Sequence, residues 1–219
     1  KVGETYKHVE NHVLWIDLEH STIPMDAAAQ MCSSALDLGL VPVVRVPEKD
    51  YGVIGRLLDG GAIGIMAARV ETAAQAAEIA AACRFPPRGC RSQVGALPLF
   101  GLKKVAPRLH NDLANRATVV VIAIETALGF RNAEAIAAVD GVDLVISGNN
   151  DFSADLGMLG DFRNEAIYAA NAAAIKACAK SGKGFAVGGI GDLKYLREML
   201  DLGAAPFFIC GTDSEMLRD

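Results

Sequence analysis

TVVVIAIE, residues 118–125, is a β-branched apolar run that ends in a single carboxylate. A strand covered on one face alternates apolar with polar residues, whereas an unbroken apolar run marks a strand covered on both faces, as in a parallel sheet. Working outward, the same pattern recurs at 13–18 (VLWIDL), 41–46 (VPVVRV), 62–68 (AIGIMAA), 142–148 (VDLVISG), 184–190 (GFAVGGI) and 206–211 (PFFICG). Between these runs lie Ala- and Leu-rich segments with helical spacing, among them 25–38, 53–58, 72–83 and 164–180. Several of them give way to glycine, at Gly39, Gly60-Gly61, Gly182 and Gly203, where a left-handed residue closes a helix. Strands alternating with helices imply right-handed crossovers and a parallel sheet.

Seven strands are countable, one short of a (β/α)8 TIM barrel. Residues 1–12 read as a helical approach, so the first strand is expected upstream of Lys1. The whole chain, 1–219, reads as a single barrel domain. An open seven-stranded doubly wound sheet is the alternative, but no glycine-rich phosphate loop follows an early strand. The segment 84–110, rich in Pro, Gly and Arg, is long enough to be either functional or without fixed structure.

Composition narrows the partners. Hydrophobic residues make up 52% of the chain, enough for a sizeable core, and the net charge of −5 argues against nucleic acid. The longest apolar runs are strand-length, too short for a bilayer, and no secretory signal is visible. Five cysteines without metal-type spacing read as reduced thiols of a cytoplasmic protein.

In a parallel barrel the reactive groups sit at the carboxyl ends of the strands. Those positions carry Asp17, Glu19 and His20, then Arg45, then Glu125, then Asn149, Asn150 and Asp151. Glu125 and Asp151 together suit a hard octahedral cation with water and substrate completing the sphere; singly, each equally suits a salt bridge or backbone hydrogen bonds. His20 reads as a general base or as a hydrogen-bonded loop histidine. Arg45 suits either a developing enolate oxygen or the neutralisation of Asp17 or Glu19. Asp59, beside Gly60, reads as a helix-end residue, and His8, His12 and His110 read as surface histidines.

Four segments, WIDLEHS (15–21), FPPRGCRS (85–92), IETALG (124–129) and NDFSADLG (150–157), resemble the HpcH/HpaI aldolases, relatives of citrate lyase beta-type lyases. The resemblance runs from about residue 13 to 211. It implies a barrel of the phosphoenolpyruvate/pyruvate type and a divalent metal (Mg2+, Mn2+ or Co2+) on Glu125 and Asp151. It also implies His20 and Arg45 as catalytic groups, Asp59 as the partner of His20 from a neighbouring subunit, and pyruvate carboxylate against Gly148, Asn150 and Asp151. The activity implied is aldol cleavage or formation of a 4-hydroxy-2-oxoacid from pyruvate and an aldehyde, in a homohexamer built as a trimer of dimers. A CoA-ester lyase and a non-catalytic barrel that binds small acids are the alternatives. Arg88 and Arg91 are open between bracing their loop and reaching an acidic acceptor. Departures from the family pattern, IMAARV at 65–70, Ala123, Ser92 and SGNND at 147–151, bear on the acceptor.

Overall fold

The computed structural model describes residues 12–216. Six strands form one parallel sheet in the order β1-β2-β3-β4-β5-β6: Val13–Asp17, Val41–Val46, Gly64–Ala67, Val119–Ile124, Leu144–Gly148 and Gly184–Gly188. Helices connect them: α1 (Met25–Asp37), α2 (Ile54–Asp59), α3 (Ala73–Cys83), α4 (Pro107–Ala117), α5 (Ala127–Arg131), α6 (Ala133–Ala137), α7 (Asn149–Asp155), α8 (Glu165–Lys180), α9 (Leu193–Asp201) and the short α10 (Asp213–Met216). The sheet curls into a half-barrel with helices packed on its convex side.

The two faces of each strand explain the curl. Leu14, Ile16, Val44, Val46, Ile65, Val120, Ile122, Ile124 and Val145 point outward into a large core shared with the helices. The alternate residues, Val43, Met66, Val121, Ala123, Ile146 and Ala186, form a smaller cluster on the concave side, with Trp15 against it. Each fully buried side chain of this kind stabilises the fold by about 1.5–3 kcal/mol. Side chains alternate with period two. The parity that turns Trp15, Val43, Ala123 and Ile146 inward therefore turns Asp17, Arg45, Glu125 and Gly148 to the same side.

Glycine closes the helices as the sequence suggests: Gly39, Gly61, Gly182 and Gly203 all have positive φ, between 67° and 109°. At Leu38-Gly39, for example, both amides turn back on carbonyls of α1's last turn.

Two expectations need correction. Residues 206–211 are not a strand: the amide of Ala205 donates to Phe185 of β6 at 2.8 Å, and the pairing stops there because the amide of Phe207, the next in line to reach β6, turns back on the carbonyl of Ala205 at 2.8 Å. The described residues thus contain six strands rather than seven. His110 is not at the surface; it is 3% exposed on α4, between the rings of Phe85 and Phe100 at 5.6 and 5.2 Å. The helix α4 was hidden by the Pro- and Gly-rich stretch before it. The expected approach over 1–12 lies, apart from His12, outside the described residues. His12 is exposed, and its carbonyl accepts from Val41.

Candidate active site

A cavity of about 680 Å3 opens at the carboxyl ends of the strands, lined by Asp17, His20, Arg45, Glu125, Asn150 and Asp151 among others. Strand register brings the first pair together, since Asp17 sits directly opposite Arg45 in the β1–β2 ladder. Arg45 clasps Asp17 with two hydrogen bonds, from Nε at 2.9 Å and from Nη2 at 2.5 Å, and its Nη1 lies 3.1 Å from Glu19. Burial pushes the Asp17 carboxyl up, but Arg45 and the amides of Glu19 and His20 outweigh it and hold it below the usual range. Both sequence readings of Arg45 thus begin from the same geometry: a guanidinium held by two acids, facing the cavity.

Glu125 stands at the end of β4, 5% exposed. Burial first, then the negative charges of Glu19 and Asp151, raise its carboxyl to about 7, against the opposing effects of Arg45 and the amide of Arg69. Opposite it, a Cβ on Gly148 would lie 2.3 Å from Glu125 Oε1, so only glycine at the end of β5 leaves room for that carboxylate. Asp151 stands across the cavity on α7, half exposed, with Arg69 Nη1 3.8 Å away. His20 is at the rim, its side chain 65% exposed and its Nε2 3.8 Å from Glu19.

The motif around Glu125 is built for this placement. Thr126 caps α5 by accepting from the amide of Gly129 and donates to Glu71 at 2.7 Å. A Cβ on Gly129 would meet the carbonyl of Val70 at 2.9 Å, which fixes glycine there. In the second acidic motif, Phe152 stacks on Phe130 at 3.9 Å, Ser153 donates to the carbonyl of Asn150, and Asp155 accepts from the amide of Ala127. IETALG and NDFSADLG therefore lock to each other, and that lock sets Glu125 and Asp151 across one cavity. Asn149 is fully buried below them, donating to Ser147 and Gly188 and accepting from Asn171, all at 2.8 Å. It ties the β5–α7 turn to β6 and α8 and takes no place in the cavity lining.

Asp59 is not brought to His20 within this chain. It ends α2 at the opposite, amino end of the sheet, where Arg91 donates to it at 2.7 Å. Arg91 in turn lies over the ring of Phe85 at 4.4 Å, while Arg88 is exposed. The long segment after α3 is thus ordered and braces the end of the sheet away from the cavity; Asn115 clamps both the amide and the carbonyl of Phe85. Sequence reasoning missed Trp15 and Ser147 in the cavity lining and Arg69 beside Asp151. Trp15 was within reach, because it precedes Asp17 by two residues and shares its face.

The residues present suit a divalent cation. Glu125 is a buried acid with surplus negative charge around it and no basic side chain hydrogen-bonded to it, the environment that binding a hard cation relieves. Among the described residues no three of His, Cys, Asp and Glu gather into a metal cluster, so Glu125 and Asp151 would leave positions for water or substrate oxygens.

A curled parallel sheet whose carboxyl end carries a surplus of acids around one clasped arginine defines an enzyme site for a small oxygen-rich substrate. The chain belongs to the HpcH/HpaI aldolase/citrate lyase family, whose model matches residues 2–218, and it is a lyase of that class. It is 40% identical, over 99% of its length and 81% of the other protein, to a 4-hydroxy-4-methyl-2-oxoglutarate aldolase of Hapsidospora irregularis. It is 35% identical to a hydroxypyruvate/pyruvate aldolase of Roseobacter denitrificans, covering 93% of this chain and 78% of that one. Among solved structures it resembles an HpcH/HpaI aldolase from Desulfitobacterium hafniense DCB-2, with a TM-score of 0.91 at 25% identity over 99% of this chain and 83% of the other.

Proposed function

We infer that this chain is a divalent-metal-dependent aldolase that forms and cleaves 4-hydroxy-2-oxoacids from pyruvate, or a close analogue, and an aldehyde. The observation that carries this reading is Glu125: a buried carboxylate raised to about 7, sharing a cavity with Asp151 and facing the Arg45 guanidinium. Its relatives' names, aldolases acting on pyruvate-type oxoacids, support the same substrate class.

Glu125 and Asp151 are the residues that would hold Mg2+, Mn2+ or Co2+. When bound, such an ion supplies Lewis-acid polarisation of the substrate's oxo group. The chain's own residues do the rest. Arg45, already fixed by Asp17, offers a rigid cation to the oxygen on which negative charge develops. Gly148 and the backbone at Asn150 and Asp151 receive the carboxylate. His20, at the rim, takes a proton from the substrate hydroxyl in cleavage and returns it in synthesis at an imidazole nitrogen.

The reading extends to assembly. Asp59 lies far from its own cavity and half exposed, which suits a role beside His20 of a neighbouring copy, in a homohexamer arranged as a trimer of dimers. A complete eight-stranded barrel and a cytoplasmic setting belong to the same proposal; five unpaired thiols accord with the latter. No helix among the described residues is long and apolar enough to cross a membrane.

The test is exchange of pyruvate methyl protons with D2O, followed by NMR, with and without added Mn2+. Metal-dependent exchange together with retro-aldol cleavage of a 4-hydroxy-2-oxoacid is the expected result. Metal-dependent cleavage confined to CoA esters would point to a citrate-lyase-type reaction, and absence of any exchange would defeat the aldolase reading.

A further inference from the structure

The turn from β5 into α7 serves both acids of the cavity. It begins at Gly148, pressed against Glu125, and it carries Asp151. Yet α7 has no side-chain cap at its start. The side chain that anchors the turn points away from the cavity. Asn149, wholly buried, commits its amide nitrogen to Ser147 Oγ and the carbonyl of Gly188, and its oxygen to Asn171 of α8, each at 2.8 Å. From the end of β6, Gly189 presses on the same turn. At its φ of 77°, a Cβ would lie 3.3 Å from the amide nitrogens of Asn149 and Asn150.

Asn171 is itself fixed. Its Nδ2 also reaches the carbonyl of Ile167 at 3.0 Å and the hydroxyl of Tyr195 at 3.3 Å. Tyr195, on α9, is wholly buried, with Tyr168 edge-on to its ring at 5.6 Å and the Arg163 guanidinium 5.3 Å from its centre. Arg163 is held in turn by Asp192 and Glu198. The rest of the buried face of α8 is apolar: Ile167, Ala174, Ile175 and Cys178. Amides buried in such a setting carry a desolvation penalty, and Asn171 Oδ1 has no hydrogen-bond partner among the described residues. An apolar pair would fill the same space without that penalty. What the amides add is a single geometry, because a hydrogen-bonded network fixes direction where apolar contacts do not.

We propose that Asn149 and Asn171 are positioning residues for the cation site: the hydrogen bond between them holds the β5–α7 turn, and with it the placing of Asp151 opposite Glu125. This rests on the metal-dependent reading and deepens it. The test is Mn2+ binding, followed through the EPR signal of the free ion and so independent of activity. Asn149→Ala and Asn171→Leu should each raise the Kd by about tenfold or more. The double variant should rise little beyond Asn149→Ala, because the two residues act through one bond. Asn149→Ser, which keeps a hydroxyl in place of the amide, should fall between the parent and Asn149→Ala, and it replaces that variant where the latter does not fold. Arg84→Met, which loosens the amino end of the sheet, should keep the parent's Kd within about twofold and so separates positioning from a general loss of stability. A parent-like Kd in the Asn149 and Asn171 variants, rises that simply multiply in the double variant, or an equal rise in Arg84→Met would overturn the proposal and leave the metal-dependent reading intact. A parent that takes up no Mn2+ would remove both.

Discussion

The two ends of the sheet use the same side chains to opposite effect. At the amino end Asp143 is paired with Arg84, which also reaches the carbonyl of Gly141. Asp143 further accepts from the amide of Val120, so the pair stitches α3, β4 and β5 together. At the carboxyl end the acids outnumber their partners. Asp17 and Glu19 share Arg45, and Glu125 is left buried with other carboxylates as neighbours. Balanced charge braces a fold, whereas unbalanced charge in a cavity waits for a cation and a substrate. The lesson is that function here is read from the excess, not from the presence, of ionisable groups.

The largest effect expected of this contrast is on turnover. Glu125→Gln and Asp151→Ala should each lower metal-dependent proton exchange by about a thousandfold, with the fold intact by circular dichroism. Arg45→Lys should retain metal affinity yet lose about a hundredfold in kcat, because an ammonium cannot reproduce the clasped planar fork. Normal turnover in Arg45→Lys would show that the Asp17–Arg45 pair is bracing of the amino-end kind.

A second prediction concerns pH. Glu125 retains, in the folded metal-free protein, a proton that the unfolded chain has released above its ordinary value of 4.5. Stability should therefore fall as pH rises from about 4.5 through 7, by on the order of 3 kcal/mol in urea titrations. Glu125→Gln should flatten that slope, and added Mn2+ should reverse it at pH 8. At the amino end the expected effect is smaller and of another kind. Arg84→Met should cost about 1–3 kcal/mol of stability with kcat unchanged. A loss of turnover there would blur the division between the two ends.

Most of the fold was legible because its strands are long apolar runs punctuated by glycine, a signal that survives without tertiary context. Residues 206–211 failed for a local reason: PFFICG has the composition of a strand, but the amide that would carry the pairing on to β6, that of Phe207, folds back on Ala205. The site was legible where parity and strand ends decide it, at Asp17, Arg45 and Glu125. It was not legible at Arg69, which stands beside Asp151 on a left-handed backbone that the sequence does not announce, nor at Asp59. The sequence could mark Asp59 as a helix end but could not say which end of the sheet receives it. His110 was misjudged because an aromatic pocket closes over it from segments ten and twenty-five residues away.

The contact between Gly148 and Glu125 also bears on redesign. With room for a hydrogen but not for a methyl group between the end of β5 and the acid beside it, any side chain at 148 would displace that carboxylate. Libraries meant to widen the range of aldehydes should leave position 148 untouched and vary the inner-face side chains that line the same cavity, Trp15, Met66, Ala123 and Ile146.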